Sequence, residues 1–264
     1  MNTHFTRPVF ILQFSLALAL AGGVAACKAV SVENKTMVPA SPTENTKPVA
    51  AKIERETRQI SGWSVHIDKA LLAQNPAGTA RALELLKGQL DEIVRMVPAA
   101  AVAELQKVQL WISPEYPGIR PRAEYHPNAD WLRSHGRDPV MAKGVEFTNV
   151  RIFEAETRRM PNFALHELAH SYHDRVLGNN AGLVAAFNRA KASGKYDKVE
   201  CQDSEGRRHL ARAYAITNPQ EFFAETTEAF FSKNDFFPFT RAELKQHDPE
   251  TFDLLTKLWG AVVK

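Results

Sequence analysis

The pentapeptide His166-Glu167-Leu168-Ala169-His170 constrains this chain more than any other stretch of it. Leu165, Leu168, Ala169, Tyr172 and Val176 recur at helical spacing around it. Pro161 suits a first helical turn and Gly178 a stop, so the segment is predicted to be a helix. Residues i and i+4 share one helix face, which lets two imidazoles grip one metal ion. Glu167, turned by about 100°, can then reach a water on that ion. The bare pattern also occurs on His-rich surface helices, and His173 lies close by.

A catalytic zinc site needs a third protein ligand and an open position. Asn218-Pro219-Gln220-Glu221-Phe222-Phe223-Ala224-Glu225 opens a second predicted helix, with Pro219 at its first position. Glu221, Glu225 and Glu228 fall on one face of it, where they repel one another unless positive charge stands opposite. Asn218 and Glu221 also have capping-box spacing, so Glu221 has a local role open to it, and Glu228 a simple solvated one. Phe222, Phe223, Phe230 and Phe231 read as core.

Taken together, HELAH, then Tyr214, then the EFFAE segment at 221–225 resemble the zinc-peptidase domain of the anthrax lethal factor family. They are also similar to the Mlc titration factor A peptidases, which carry a comparable Asn-Pro-x-Glu-Phe-Phe-Ala segment. Both are gluzincins, and the likeness runs over roughly residues 144–232. The resemblance implies Zn2+ held by His166, His170 and Glu221, with Glu167 as general base. It implies that Tyr214 faces the metal and donates to the developing oxyanion. It puts Glu225 where an acidic partner of a ligating His often stands.

The remaining pattern predicts an α+β fold, a small mixed β-sheet followed by a mainly helical half, in a zincin-like domain over residues 57–264. Trp63 to Ile67 alternates like a strand, and Ala80 to Val97 reads as an amphipathic helix. A short helix over Ala99 to Gln106 and a strand over Val108 to Ile112 follow. Residues 113–143 read as one long ordered loop, with His126 and Trp131 within it. Residues 145–153 read as a strand on which an extended peptide could pair. From Pro161 onward the chain reads as helical; Thr240 to Glu243 is a capping box, and Asp248-Pro249 starts the last helix.

Before the domain, residues 1–26 read as a secretory signal and Val24-Ala25-Ala26-Cys27 as a bacterial lipobox, with lipid expected on Cys27. Residues 27–56 carry Pro39, Pro42 and Pro48 among polar residues and read as a disordered tether. Lys28, where an Asp would favour inner-membrane retention, points to the outer membrane, facing periplasm or cell surface. With 33 basic and 30 acidic residues and no long like-charged block, a nucleic-acid stripe is excluded. Two cysteines exclude a disulfide framework and leave Cys201 as a lone thiol in the mature chain. The expectation is a secreted, lipid-anchored zinc metallopeptidase whose partners are a peptide or protein substrate and the membrane that holds its lipid. Two other readings stay open: a zinc amidase acting on cell-wall peptides, and a non-catalytic surface lipoprotein stabilised by zinc.

Overall fold

The computed structural model describes residues 53–260; the signal segment, Cys27 and nearly all of the tether lie outside them. β1 (Arg55–Ile60) and β2 (Trp63–Asp68) form a hairpin. Its two turn residues, Ser61 and Gly62, both have positive φ, as a two-residue hairpin turn of the right twist requires. The folded domain therefore starts at Arg55, two residues inside the stretch expected to be tether. Helices α1 (Lys69–Gln74), α2 (Pro76–Met96) and α3 (Ala99–Leu105) carry the chain over to β3 (Leu110–Ile112), which lies parallel to β2.

Three departures from expectation follow. Residues 113–143 are not a bare loop: they hold β4 (Ala123–Tyr125), α4 (Ala129–Ser134) and a 3-10 turn over Pro139–Met141. The predicted strand over 145–153 shortens to β5 (Val145–Phe147); a 3-10 turn at Val150–Ile152 and α5 (Phe153–Arg159) replace its second half. After α6 (Phe163–Tyr172), a π-helical turn (His173–Leu177) and α7 (Ala181–Ser193), a hairpin of β6 (Val199–Gln202) and β7 (Arg208–Ala211) interrupts the helical half. Helices α8 (Pro219–Phe231), α9 (Arg241–His247) and α10 (Pro249–Leu258) complete it.

Among the described residues, the main sheet runs β1-β2-β3-β5-β4. β5 pairs with β3 on one side and β4 on the other, so it offers no edge to an incoming strand. The edge is β4. One face of the sheet is apolar: Val65, Ile67, Leu110, Ile112, Val145 and Phe147 are buried in the same core as Leu86, Leu90 and Ile93 of α2. The other face is polar. His66, Trp111, Glu146 and Glu124 lie side by side across four strands. His66 stacks on Trp111 with ring centres 4.2 Å apart. The Glu146 carboxylate is 1% exposed and is met by the Tyr116 hydroxyl (2.8 Å), His126 Nε2 (2.9 Å) and Arg137 Nη1 (3.3 Å). A buried carboxylate is tolerated when paired and hydrogen-bonded in this way. Burial alone would raise its pKa, and the bonds from His126 and Tyr116 more than reverse that. His126 thus points inward, buried between the rest of the 113–143 segment and the sheet. Trp131 stacks on His135, with centres 4.0 Å apart.

The motif-bearing helix is seated by buried polar contacts. Its N-cap is Asn162, so Pro161 stands before the helix and not in its first turn; the Asn162 amide oxygen accepts from the Leu165 N–H at 3.0 Å. Asn162 Nδ2 donates to the Gln89 carbonyl (3.0 Å) and to Glu92 Oε2 (2.9 Å), while Gln89 Oε1 accepts from the Ala164 N–H (2.9 Å). The start of α6 is thereby riveted to α2. On the far side Phe222, Phe223, Phe230 and Phe231 are buried as core. Trp259 stacks on Tyr172 at 4.3 Å and on Phe223 at 5.4 Å, and donates its indole N–H to Thr227 Oγ1 at 3.1 Å.

The polar face leaves no room at Gly144. A Cβ there would stand 2.5 Å from Trp111 Nε1 and 2.8 Å from the Gln109 carbonyl oxygen. Gly144→Ala is expected to destabilise the domain by about 1–3 kcal/mol, the usual range for overpacking. Urea unfolding followed by tryptophan fluorescence checks it; an unchanged midpoint would mean that the indole and β3 can yield.

Candidate metal centre

Three side chains from two helices converge. His166 and His170 stand one turn apart on α6, and Glu221 lies in the first turn of α8. The Nε2 atoms of the two imidazoles are 3.1 Å apart. Glu221 Oε2 lies 3.3 Å from His166 Nε2 and 3.2 Å from His170 Nε2. Ligand atoms about 2.0–2.1 Å from zinc at tetrahedral angles stand about 3.3–3.4 Å from one another, so these spacings match the edges of such a polyhedron. Glu221 Oε2 is buried and has no hydrogen-bond partner, an arrangement that suits a carboxylate oxygen meant for a cation. The donor set of two imidazoles and one carboxylate is also one that zinc takes in catalytic sites.

Local structure leaves Glu221 free for this task. Asn218 caps α8, its side chain accepting from the Glu221 N–H at 2.8 Å. The reciprocal half of a capping box does not form there, as it does between Thr240 and Glu243 on α9. The Glu221 carboxylate turns instead to the histidines. Burial alone would raise its pKa, and the contacts with His166 and His170 hold it far below the usual carboxylate range. His166 behaves in the complementary way: burial would lower its pKa, but Glu228, Glu221 and Glu167 around it raise it well above the ordinary value. The site favours positive charge from every side.

The second nitrogen of His166 corrects one expectation. Its Nδ1 is 2.6 Å from Glu228 Oε1 but 3.7 Å from Glu225 Oε1. The hydrogen bond is made by Glu228, which is fully buried, not solvated. The imidazole of His166 spans two turns of α8, with Glu221 at its Nε2 and Glu228 at its Nδ1. The signal was present in the spacing: Glu228 sits seven residues after Glu221, on the same helix face. Glu225, between them, is also buried, and its pKa is raised well above the usual range by burial and by Glu228 and Asp235 nearby. Arg159 balances the cluster from behind, bonded to Asp235 and, at 2.6 Å, to Glu156 Oε2.

Glu167 and Tyr214 flank the triad. Glu167 Oε2 accepts from the backbone N–H of Tyr125 on β4 at 2.9 Å, so the edge strand touches the motif helix at this residue. Sequence reasoning did not single out Tyr125, whose part depends on a three-residue strand. Tyr214 opens a 3-10 turn after the β6–β7 hairpin, and its hydroxyl lies 3.5 Å from Glu221 Oε1. The residue is 48% exposed. Burial of the phenol and the charge of Glu221 raise its pKa and keep it protonated. Cys201 on β6 is apart from the site; burial and the charge of Asp235 push its thiol up to about 11.

The sequence profile of the family described as anthrax toxin lethal factor, N- and C-terminal domain, matches residues 123–258, more than half of the chain. The match runs from β4 through α10 and includes every residue of the triad, its flanks and the edge strand. No curated protein and no solved structure matches the chain.

Replacing a carboxylate that orients a ligating imidazole typically costs 10–100-fold in metal affinity. Glu228→Gln is therefore expected to weaken zinc binding by about that factor, with Glu225→Gln having the smaller effect. Competition with a chromophoric chelator checks this. The reverse order would return the role to Glu225.

Proposed function

The chain belongs to the anthrax toxin lethal factor family, a family of zinc metalloproteases, and from that premise we propose that it is a zinc-dependent peptidase. The observation that carries this reading is the His166–His170–Glu221 triangle, closed at zinc-ligand spacing by an otherwise unpartnered buried carboxylate oxygen. These three residues would hold the metal. When bound, zinc supplies a Lewis acid that polarises the scissile carbonyl and lowers the pKa of a coordinated water to about 7.

The chain's own groups do the rest. Glu167, one residue from the first ligand, takes the proton of the attacking water and returns it to the leaving amine. Tyr214 keeps its proton and donates a hydrogen bond to the oxygen on which negative charge develops. Glu228 fixes the orientation of the His166 ring through Nδ1, so that Nε2 is turned toward His170 and Glu221, where it would hold the metal. An extended substrate segment adds to the free edge of β4. In this antiparallel pair Arg122 and His126 turn their backbone groups to β5, with the Thr148 N–H on the Arg122 carbonyl at 2.9 Å and the His126 N–H on the Gly144 carbonyl at 3.0 Å. By alternation Ala123 and Tyr125 turn theirs outward. The lipobox extends the proposal to location: lipid on Cys27 would anchor the domain to a membrane surface after secretion.

Glu167→Gln is expected to lower peptide hydrolysis by at least about 10²–10⁴-fold, the range for a lost general base, while one zinc per chain remains. Glu221→Ala is expected to lose the zinc. Elemental analysis and a quenched-fluorescence peptide library check both, and full activity in Glu167→Gln would overturn the mechanism. A proline on an edge strand is tolerated where its missing N–H faces outward. Ala123→Pro is thus expected to fold and to raise KM about fivefold, the worth of about 1 kcal/mol in one hydrogen bond. An unchanged KM in a folded Ala123→Pro variant would remove β4 from substrate binding.

A further inference from the structure

Tyr125 meets the motif helix twice. Its backbone N–H donates to Glu167 Oε2 at 2.9 Å, and its phenol donates to Asp174 Oδ2 at 2.6 Å. Glu167 lies on α6 and Asp174 on the π-helical turn that continues it. Seven residues separate them, which is two turns along one face. Lys143 reaches the same place: its Nζ donates to Asp174 Oδ2 at 2.6 Å. Lys143 holds φ at 61°, in the left-handed region that a side chain rarely adopts, and its N–H bonds the His126 carbonyl at 2.7 Å. The backbone accepts an unfavourable conformation at the one residue whose ammonium reaches Asp174. Burial would raise the Asp174 pKa, and the bonds from Lys143 and Tyr125 hold it below the ordinary value, so it accepts from both as a carboxylate.

We infer that Tyr125 is a positioning residue for the general base, the edge strand gripping Glu167 by a backbone N–H while the phenol and Lys143 lock that strand to Asp174. The inference rests on the reading of Glu167 as base. It gives the strand two duties. Glu167 Oε2 is spent on the Tyr125 N–H, and the carboxylate is left to present Oε1 to the water proton. The N–H that an added strand would otherwise use at position 125 is taken. A docked peptide is restricted to the Tyr125 carbonyl and the outward groups of Ala123, and this sets its register against the base.

The test uses the full chain loaded with zinc and follows amide hydrogen exchange over residues 122–127. Glu167→Ala removes the acceptor and is expected to speed exchange of the Tyr125 amide at least tenfold. Tyr125→Phe and Asp174→Asn leave that acceptor in place but release the strand. Both are expected to speed the same amide and to lower kcat on a quenched-fluorescence peptide by roughly tenfold to a hundredfold, with KM within twofold and zinc content unchanged. Lys143→Gly separates positioning from stability. It relieves the backbone, so the thermal midpoint should hold or rise, yet the Tyr125 amide should still exchange faster. Wild-type exchange in Glu167→Ala overturns the grip itself. Fast exchange with wild-type kcat in both Tyr125→Phe and Asp174→Asn overturns the positioning role. If no peptide is cleaved by the unaltered protein, the peptidase reading fails, and the exchange measurements still decide whether the strand holds Glu167.

Discussion

One imidazole ties the domain together. His166 is almost wholly enclosed, with Glu228 on Nδ1 and the Glu221–His170 pair on Nε2. Both nitrogens are engaged by different turns of one neighbouring helix, so the ring cannot rotate without breaking a charged contact in the interior. Such a contact is costly to lose, because the partner is left buried and uncompensated. The relative placement of α6 and α8, and hence the spacing of all three donor atoms, follows from this ring. The aromatic packing of Phe223, Trp259 and Tyr172 supplies the non-directional energy, and the imidazole supplies the register.

The rest of the architecture serves to hold that helix pair against the sheet. The start of α6 is fastened by buried amides, through Asn162 and Gln89, in a place where apolar packing alone would let the helix slide. Its other end is fastened through Asp174 to β4. The sheet itself is asymmetric in chemistry: one face is apolar and covered by α2, while the other carries the His66–Trp111–Glu146–Glu124 row under the 113–143 segment. That row is why the segment is ordered. Glu146 has three protein partners, and each comes from the covering segment.

The fold class and the helices of the site were legible from their periodic patterns, and three helices of the C-terminal half also from recognisable caps: Asn218-Pro219 before α8, Thr240 to Glu243 at α9, Asp248-Pro249 at α10. The convergence of His166, His170 and Glu221 was legible from spacing joined to resemblance. What escaped was short or doubly polar. β4 has three residues, too few for alternation to register, and one of them is a glutamate on the buried polar face. β6 and β7 carry Glu200, Arg208 and His209 on a two-stranded hairpin with no continuous apolar face. The strand expected over 145–153 was half right, because Phe153 keeps the two-residue period of Val145 and Phe147 in sequence but packs from a helix reached through a 3-10 turn. Glu228 was misplaced for a simpler reason: a carboxylate on a helix reads as solvated until its buried partner is known.

Cys201 has a bearing on where such a domain can work. It is the free thiol among the described residues, enclosed on β6 and held largely in its protonated form. A thiol in that state is a poor nucleophile toward disulfides and a poor ligand for soft metals. Among the described residues the histidine–carboxylate cluster therefore has no thiolate beside it. Among the described residues the packing involves no sulfur bond, and the thiol present is enclosed.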